Sequence, residues 1–509
     1  MKRTQFALAA TLLFGAFLRF AHLDFGFPGS YHPDEWRAAI EVDACAKGRP
    51  VERRYRHPPL QKNLACLVAP TARLFMAAEH QGWTVPVFSL RLVSAAAGTL
   101  APLFVYLVTR RFVPGAAALG AAFLYAVFPA AVMTSKYGPP DSLVSTLILA
   151  SLWLQLRMVD RRGAAVVFAA ALATTLAVAA KYNAGFLAFS FAAAWIEGWR
   201  RGVRPPFAVR QVGAAAAAIL SGLALGFPAV LFSGELGDLV SGISGEGGHL
   251  LTEGHYGVAI GLADGLGVFH LRHSVLPASG PLLLAAIVAG LVALAIRLDA
   301  ASRVLLAFAF PYYAAIEFAY KVPPSYERYM LPLLGVFLCG AMLPTRLVAE
   351  RCADRFAPGR ALAFTLGLIV LLAAFPLLRT AQVVAAMRPD TRELFSTRLA
   401  ELLPVDAALF VESPMMSMYY PTIDRPGPPR AADAALLETA LPGPFFVLTS
   451  SLLYERYEDF PDQKPERTRF YRELARRGTL VAEQDAGRDR YMFHNPTLRL
   501  YRVDVGATP

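Results

Sequence analysis

Apolar runs of about twenty residues, separated by short polar links, dominate the first 380 positions of the chain. A run of about 20 mostly apolar residues is enough to cross the hydrocarbon of a bilayer as a helix. Such runs lie at 5–23, 88–109, 114–134, 141–157, 163–180, 183–198, 211–232, 281–297, 302–320, 329–346 and 361–378, and predict eleven membrane-spanning helices. The stretch 60–79 is also apolar but is broken by Gln61, Lys62, Asn63, Pro70 and Arg73. Spanning would cost several kcal/mol for those polar groups, so the pattern predicts a helix lying in the interface, with another short helix over 37–47. Beyond 380 the pattern changes. Strand-like Ala408–Glu412, Phe445–Thr449, Thr479–Ala482 and Thr497–Val503 alternate with helical stretches such as Glu466–Arg477. Turn-rich linkers occupy Pro421–Pro429 and Ala440–Pro444. The expected fold class is mainly α: a polytopic integral membrane helix bundle over 1–380, with loop helices on its outer face, and a small C-terminal α/β domain over 381–509.

Composition agrees with this pattern. Of 509 residues 56% are apolar and 17% charged, where soluble domains average about 45–50% and about 25%. Disorder is excluded, because it needs low hydrophobicity and high charge density. Four Cys cannot staple a chain of this size. The formal charge of +11 is informative through its placement. Lys2 and Arg3, Arg110 and Arg111, Arg157 with Arg161 and Arg162, Arg200 to Arg210, Arg297 and Arg303, and Arg346 to Arg360 fall on alternate connections. Short cytoplasmic loops collect Lys and Arg. That rule puts the N-terminus in the cytoplasm and sets the loops 24–87 and 233–280, with everything beyond 378, on the outer side. Scattered between apolar runs, these arginines form no basic stripe for nucleic acid. A basic start and an apolar stretch also describe a signal peptide. Here no small-x-small cleavage site follows, and the first run reads as an uncleaved span. Cys45 and Cys66 share the first outer loop; their spacing leaves open whether they pair.

The candidate chemistry lies on the outer side. Tyr31-His32-Pro33-Asp34-Glu35-Trp36 follows the first span. Its carboxylates suit a general base or a hard metal, or else Pro33-Asp34-Glu35 simply opens a helix. Arg56-His57-Pro58-Pro59-Leu60 introduces the interfacial helix. Three outer links carry cations against the charge rule: Lys136-Tyr137-Gly138-Pro139-Pro140-Asp141, Lys181-Tyr182-Asn183, and Lys321 with Tyr326-Glu327-Arg328-Tyr329. Any one of them is explained by snorkelling. Together, facing the side that holds Asp34, they suit an anion such as phosphate, which Arg can bind in a bidentate way. The loop 233–280 adds Glu246-Gly247-Gly248-His249 and Glu253-Gly254-His255-Tyr256-Gly257, whose glycines leave backbone amides open to an anion or a sugar. The chain contains no P-loop or GxGxxG fingerprint, and nothing in the tail looks catalytic.

This arrangement resembles the C-type (GT-C) glycosyltransferases, the protein O-mannosyltransferase and aminoarabinose transferase (ArnT-like) group that draws on dolichyl- or polyprenyl-phosphate sugars. The resemblance covers about 1–395. It rests on Asp34-Glu35 after the first span, His57-Pro58-Pro59-Leu60, Lys181-Tyr182-Asn183, Gly254-His255-Tyr256-Gly257, Arg328-Tyr329-Met330-Leu331-Pro332 and Asp390-Thr391-Arg392. It implies inverting transfer of a single sugar from a polyprenyl-phosphate donor to a lipid, glycan or protein acceptor at the outer face of a bacterial inner membrane. Asp34 and Glu35 are then the catalytic candidates. Lys181, Arg328, Lys136 and His255 match the donor phosphate contacts, and His57, Tyr182, Asp141 and Tyr329 the substrate contacts. Some members of the group bind a divalent cation through the first loop and others do not; here Asp34, Glu35 and His57 are the residues available for one. Two other readings compete. A transporter or flippase of a lipid-linked sugar would place ionisable residues inside its spans near the midplane. A polysaccharide ligase or polymerase would use a similar donor but move a chain.

Overall fold

The computed structural model describes residues 2–49, 55–76, 82, 84–161, 163–202, 209–248, 258, 260, 265, 267–319, 321, 327–357, 359–404, 406–423, 429–438 and 443–504. Among the described residues the predicted apolar runs are largely helical, but not every run is one continuous helix. Among the described residues six helices are long and apolar enough to cross a membrane: Thr84–Thr109, Asp141–Asp160, Val209–Gly226, Leu271–Arg297, Glu327–Phe356 and Ala361–Ala385. The run 114–134 divides into Gly115–Ala126 and Pro129–Thr134, because Pro129 lacks the N–H that would continue the helix and instead starts a new one. The run 211–232 divides in the same way at Pro228, and 183–198 begins as a 3-10 turn, Tyr182–Phe186.

Glu327–Phe356 is the hub of the bundle. Its Tyr329 to Leu343 stretch is buried throughout. On one side it meets Leu271–Arg297, where a Cβ on Gly290 would lie 2.1 Å from the carbonyl carbon of Gly340. Two glycines thus bring two backbones into contact, the usual device where helices associate without a hydrophobic drive. Peripheral helices turn apolar side chains outward: Val209, Ile219, Leu220 and Leu225 are exposed on Val209–Gly226, a surface suited to lipid.

The first loop folds as two helices, Glu35–Ala46 and Leu60–Leu74, joined by a Cys45–Cys66 disulfide with the Cα atoms 6.1 Å apart. The second has 15 residues, about 22 Å at the α-helical rise, too short to span. Its polarity is inverted. Gln61 and Lys62 face the protein while Leu67 and Leu74 are exposed. Gln61 Nε2 donates to Leu90 O, Ser94 Oγ and Gly138 O at 2.9–3.2 Å.

The C-terminal part opens with the helix Thr391–Leu402, whose N-cap Asp390 accepts from the Arg392 N–H, and among the described residues carries five strands. These are β1 (Ala408–Val411), β2 (Arg430–Ala431), β3 (Phe445–Ser450), β4 (Gly478–Gln484) and β5 (Leu498–Val503). The sheet order is β2-β1-β3-β5-β4, with β1 parallel to β2 and β3, and β5 antiparallel to β3 and β4. All of β3 is buried, as expected of a strand covered on both faces. One apolar cluster joins Phe25, Tyr31, Met133 and Tyr137 of the bundle face to Phe395, Tyr419 and Phe493 of the C-terminal part. That contact sets the C-terminal part directly over the first loop.

Candidate active site

Asp34 is the N-cap residue of Glu35–Ala46, yet its backbone is in the helical region and its side chain makes no capping bond. The capping reading of Pro33-Asp34-Glu35 therefore does not use up the carboxylate. It points instead toward the start of Glu327–Phe356, where Arg328 Nη1 lies 3.2 Å from Asp34 Oδ2. The Asp34 side chain remains 32% exposed while Arg328 is nearly covered. Arg328 Nη2 also donates to the Tyr329 hydroxyl at 3.0 Å. The Lys181 ammonium stands 5.5 Å from the centre of the Tyr329 ring and pairs with Asp141 at 2.5 Å. Two cations and two carboxylates from four distant stretches thus gather at one end of the bundle. Asn183 completes the scaffold, donating to the Tyr312 hydroxyl at 2.8 Å, which in turn donates to Tyr329 O at 3.1 Å.

Glu35, the neighbouring catalytic candidate, is placed differently from Asp34. It is fully buried, and Arg91 donates Nε and Nη2 to its two oxygens at 2.8 Å each. Ser30 Oγ donates at 2.7 Å and the Gly138 N–H at 2.8 Å. Both of its oxygens are thus occupied within the protein. Burial would raise its pKa, but the Arg91 guanidinium outweighs this and holds it below the usual range. Arg91, which also donates to Leu23 O and Phe25 O at 2.8 Å, gave no sequence signal, because an Arg at the end of an apolar run reads as a charge at the interface.

Other expected residues are placed differently. Lys136, one of the phosphate candidates, is held by the protein itself. It is buried, its ammonium donates to Ala21 O, and burial, with Arg19 and Arg91 nearby, lowers its pKa to about 7. Asp141 is buried in its pair with Lys181. The Tyr182 hydroxyl donates to Tyr55 O at 2.7 Å, and Tyr55 reaches Glu235 at 2.6 Å, tying the first loop to the second. His57 is exposed, and its carbonyl accepts from Lys62 at 3.4 Å. His255 and the surrounding Gly254–Gly257, with Tyr326, lie outside the described residues. Among the described residues no three His, Cys, Asp or Glu side chains are grouped to hold a metal ion. With Glu35 fully engaged, Asp34, Glu35 and His57 do not form a ligand set.

Residues 65–224 match the family model of dolichyl-phosphate-mannose-protein mannosyltransferases. The structure is similar to that of ArnT from Cupriavidus metallidurans, solved with undecaprenyl phosphate, over 99% of this chain and 98% of that one, with 15% identity and a TM-score of 0.50. It also aligns with an archaeal oligosaccharyltransferase, AglB from Archaeoglobus fulgidus, solved with an inhibitory peptide and a dolichol-phosphate. There the identity is 15% and the TM-score 0.49, over 82% of this chain but only 63% of that one, so this chain spans less than two thirds of AglB. A comparison with the curated proteins returns no match. A segment matching the mannosyltransferase family model thus sits on an overall fold similar to that of ArnT.

Proposed function

We propose that the chain transfers one sugar, with inversion, from a polyprenyl-phosphate donor to a hydroxyl of a lipid, glycan or protein acceptor at the outer face of the membrane, with Asp34 as the base. The observation that carries this reading is the Asp34–Arg328 contact: a partly exposed carboxylate held against a nearly buried guanidinium, with Lys181 beside the same tyrosine. The donor's tail lies in the bilayer and its phosphate meets Arg328 and Lys181. The acceptor hydroxyl gives its proton to Asp34 as its oxygen bonds to the anomeric carbon. On the opposite face the bond from that carbon to the phosphate oxygen breaks, and the electron pair leaves on the phosphate. Cations already in place stabilise that charge as it develops, and a single displacement inverts the centre. The Cys45–Cys66 disulfide supports placing the first loop on an oxidising side, as does the distribution of inner-loop arginines. The ArnT structure with undecaprenyl phosphate supports the class of carrier.

The test is Asp34→Asn, assayed in membranes with a panel of labelled undecaprenyl-phosphate sugars, mannose first. Transfer should fall by at least about a hundredfold, and full activity would overturn the assignment. Arg328→Ala should weaken binding of undecaprenyl phosphate itself; unchanged binding would remove Arg328 from the phosphate site.

A further inference from the structure

We propose that the C-terminal domain is a working part of the transfer site, in which Phe493 and His32 are positioning residues that hold Asp34 against the acceptor. This deepens the reading above and rests on Asp34 being the base. His32, two residues before Asp34, is only 2% exposed. Its Nδ1 accepts the Asp34 backbone N–H at 3.1 Å, so the ring proton sits on Nε2 and the imidazole is neutral. That bond fixes the Asp34 backbone at the entrance to Glu35–Ala46, where the carboxylate itself makes no cap. Two rings pack on the imidazole, and Phe493 is the nearer: its centre is 4.4 Å away, against 5.2 Å for Tyr137. Phe493 comes from the C-terminal domain, on the turn closed by the paired Tyr491 and His494.

The turn is itself rigidly held. Arg392 Nη2 donates to Phe493 O at 2.9 Å, and its Nε donates to Asp390 at 2.7 Å. The Asn495 N–H donates to Asp390 at 2.9 Å, and the Thr391 N–H to Asn495 Oδ1 at 3.0 Å. The same Arg392 guanidinium lies 3.5 Å from the centre of the Tyr31 ring, and the Tyr31 hydroxyl donates to Glu393 at 3.0 Å. The domain therefore grips two consecutive residues, Tyr31 through Arg392 and His32 through Phe493, with only Pro33 between them and the base. Tyr419 stacks behind Phe493 at 6.4 Å and receives a bond from Arg456 at 3.3 Å, so the C-terminal domain also backs the ring that covers His32. A domain whose task was only to cover the bundle could dock on any part of that face. This one docks on the segment that aims the carboxylate.

The experiment uses the full chain and the donor of the undecaprenyl-phosphate panel that the wild-type protein turns over. His32→Ala and Phe493→Ala should lower kcat on the order of 10- to 100-fold, the scale of a misplaced reacting group, while the KM for the donor stays within about twofold. His32→Asn should recover most of the loss, because the amide oxygen can accept the Asp34 N–H where Nδ1 did. Phe493→Tyr should do the same by refilling the contact. If Phe493→Ala weakens folding, the His32→Ala and His32→Asn pair decides the matter at a temperature where both are folded. Equal kcat in those two variants, or wild-type kcat in His32→Ala, overturns the proposal. Asp34→Asn in the same assay separates the two readings: an active Asp34→Asn removes the base, whereas an inactive Asp34→Asn with normal His32→Ala and Phe493→Ala removes only the clamp.

Discussion

Replacing Glu35 by Gln tests whether that residue anchors the fold or takes part in the chemistry. Both oxygens are in use: Arg91 meets each of them at 2.8 Å, and Ser30 and Gly138 supply two further donors. Both partners of the ion pair are 0% exposed. Gln keeps one acceptor but turns an amide N–H₂ toward the guanidinium and leaves a buried cation without its counter-charge. Breaking one partner of a buried pair costs about 3–5 kcal/mol. Because Arg91 holds the Glu35 carboxyl below its usual range, this contribution is complete above about pH 4.5 and is lost only as pH falls through the depressed value. At pH 7 the full effect is read. The assay is denaturant or thermal unfolding of the purified protein in detergent, for Glu35→Gln, Arg91→Met and the double variant. Arg91→Met also orphans Leu23 O and Phe25 O, so the double variant will not return to wild type. The coupling energy across the cycle should nonetheless reach about 2–3 kcal/mol. A coupling near zero, or a Glu35→Gln protein of unchanged stability and abolished transfer, would show that Glu35 acts on substrate and that the anchoring argument is wrong.

Other predictions follow from the same contacts. Cys45→Ser with Cys66→Ser removes a bridge of sequence separation 21 and should cost about 3 kcal/mol by loop closure, read as a lower unfolding midpoint; an unchanged midpoint would mean the two helices are held by packing alone. Gly290→Leu should separate the two helices that touch at Gly340 and destabilise by at least about 1–3 kcal/mol; normal stability would contradict the backbone contact. Burial lowers the pKa of His32 and of His494 to about 4 from 6.5. The unfolded chain therefore binds protons that the folded one refuses. Stability should be full above about pH 6.5 and decline as pH falls toward 4, by up to about 3 kcal/mol for each histidine. His32→Asn should flatten part of that slope, and an identical slope would show that His32 does not stay neutral in the folded protein.

Much of this was legible along the chain. The apolar runs recur because each helix must satisfy its own backbone in lipid, and that constraint acts residue by residue. The C-terminal strands were readable for the same local reason: Ala408–Val411, Phe445–Ser450, Gly478–Gln484 and Leu498–Val503 each fall within two residues of the expected bounds. The two-residue β2 carried no pattern long enough to see. Interruptions at Pro129 and Pro228 show where length alone misled, since one proline divides a run without changing its hydropathy.

The site divides along a different line. That Asp34, Lys181 and Arg328 belong at one end of the bundle follows from order and topology, which sequence determines through the alternation of charged and apolar segments. Which carboxylate of the adjacent pair is available does not. Asp34 and Glu35 are chemically alike, and only the tertiary structure, by seating Arg91 against one and Arg328 against the other, makes one an anchor and leaves the other exposed. Lys136 and Lys181 diverge for the same reason, one buried against a carbonyl and one beside the Tyr329 ring. The tail showed no chemistry in sequence, yet it sets Phe493 against His32. Burial and partnership are properties of a three-dimensional neighbourhood assembled from distant stretches, whereas hydropathy and charge order are written along the chain itself.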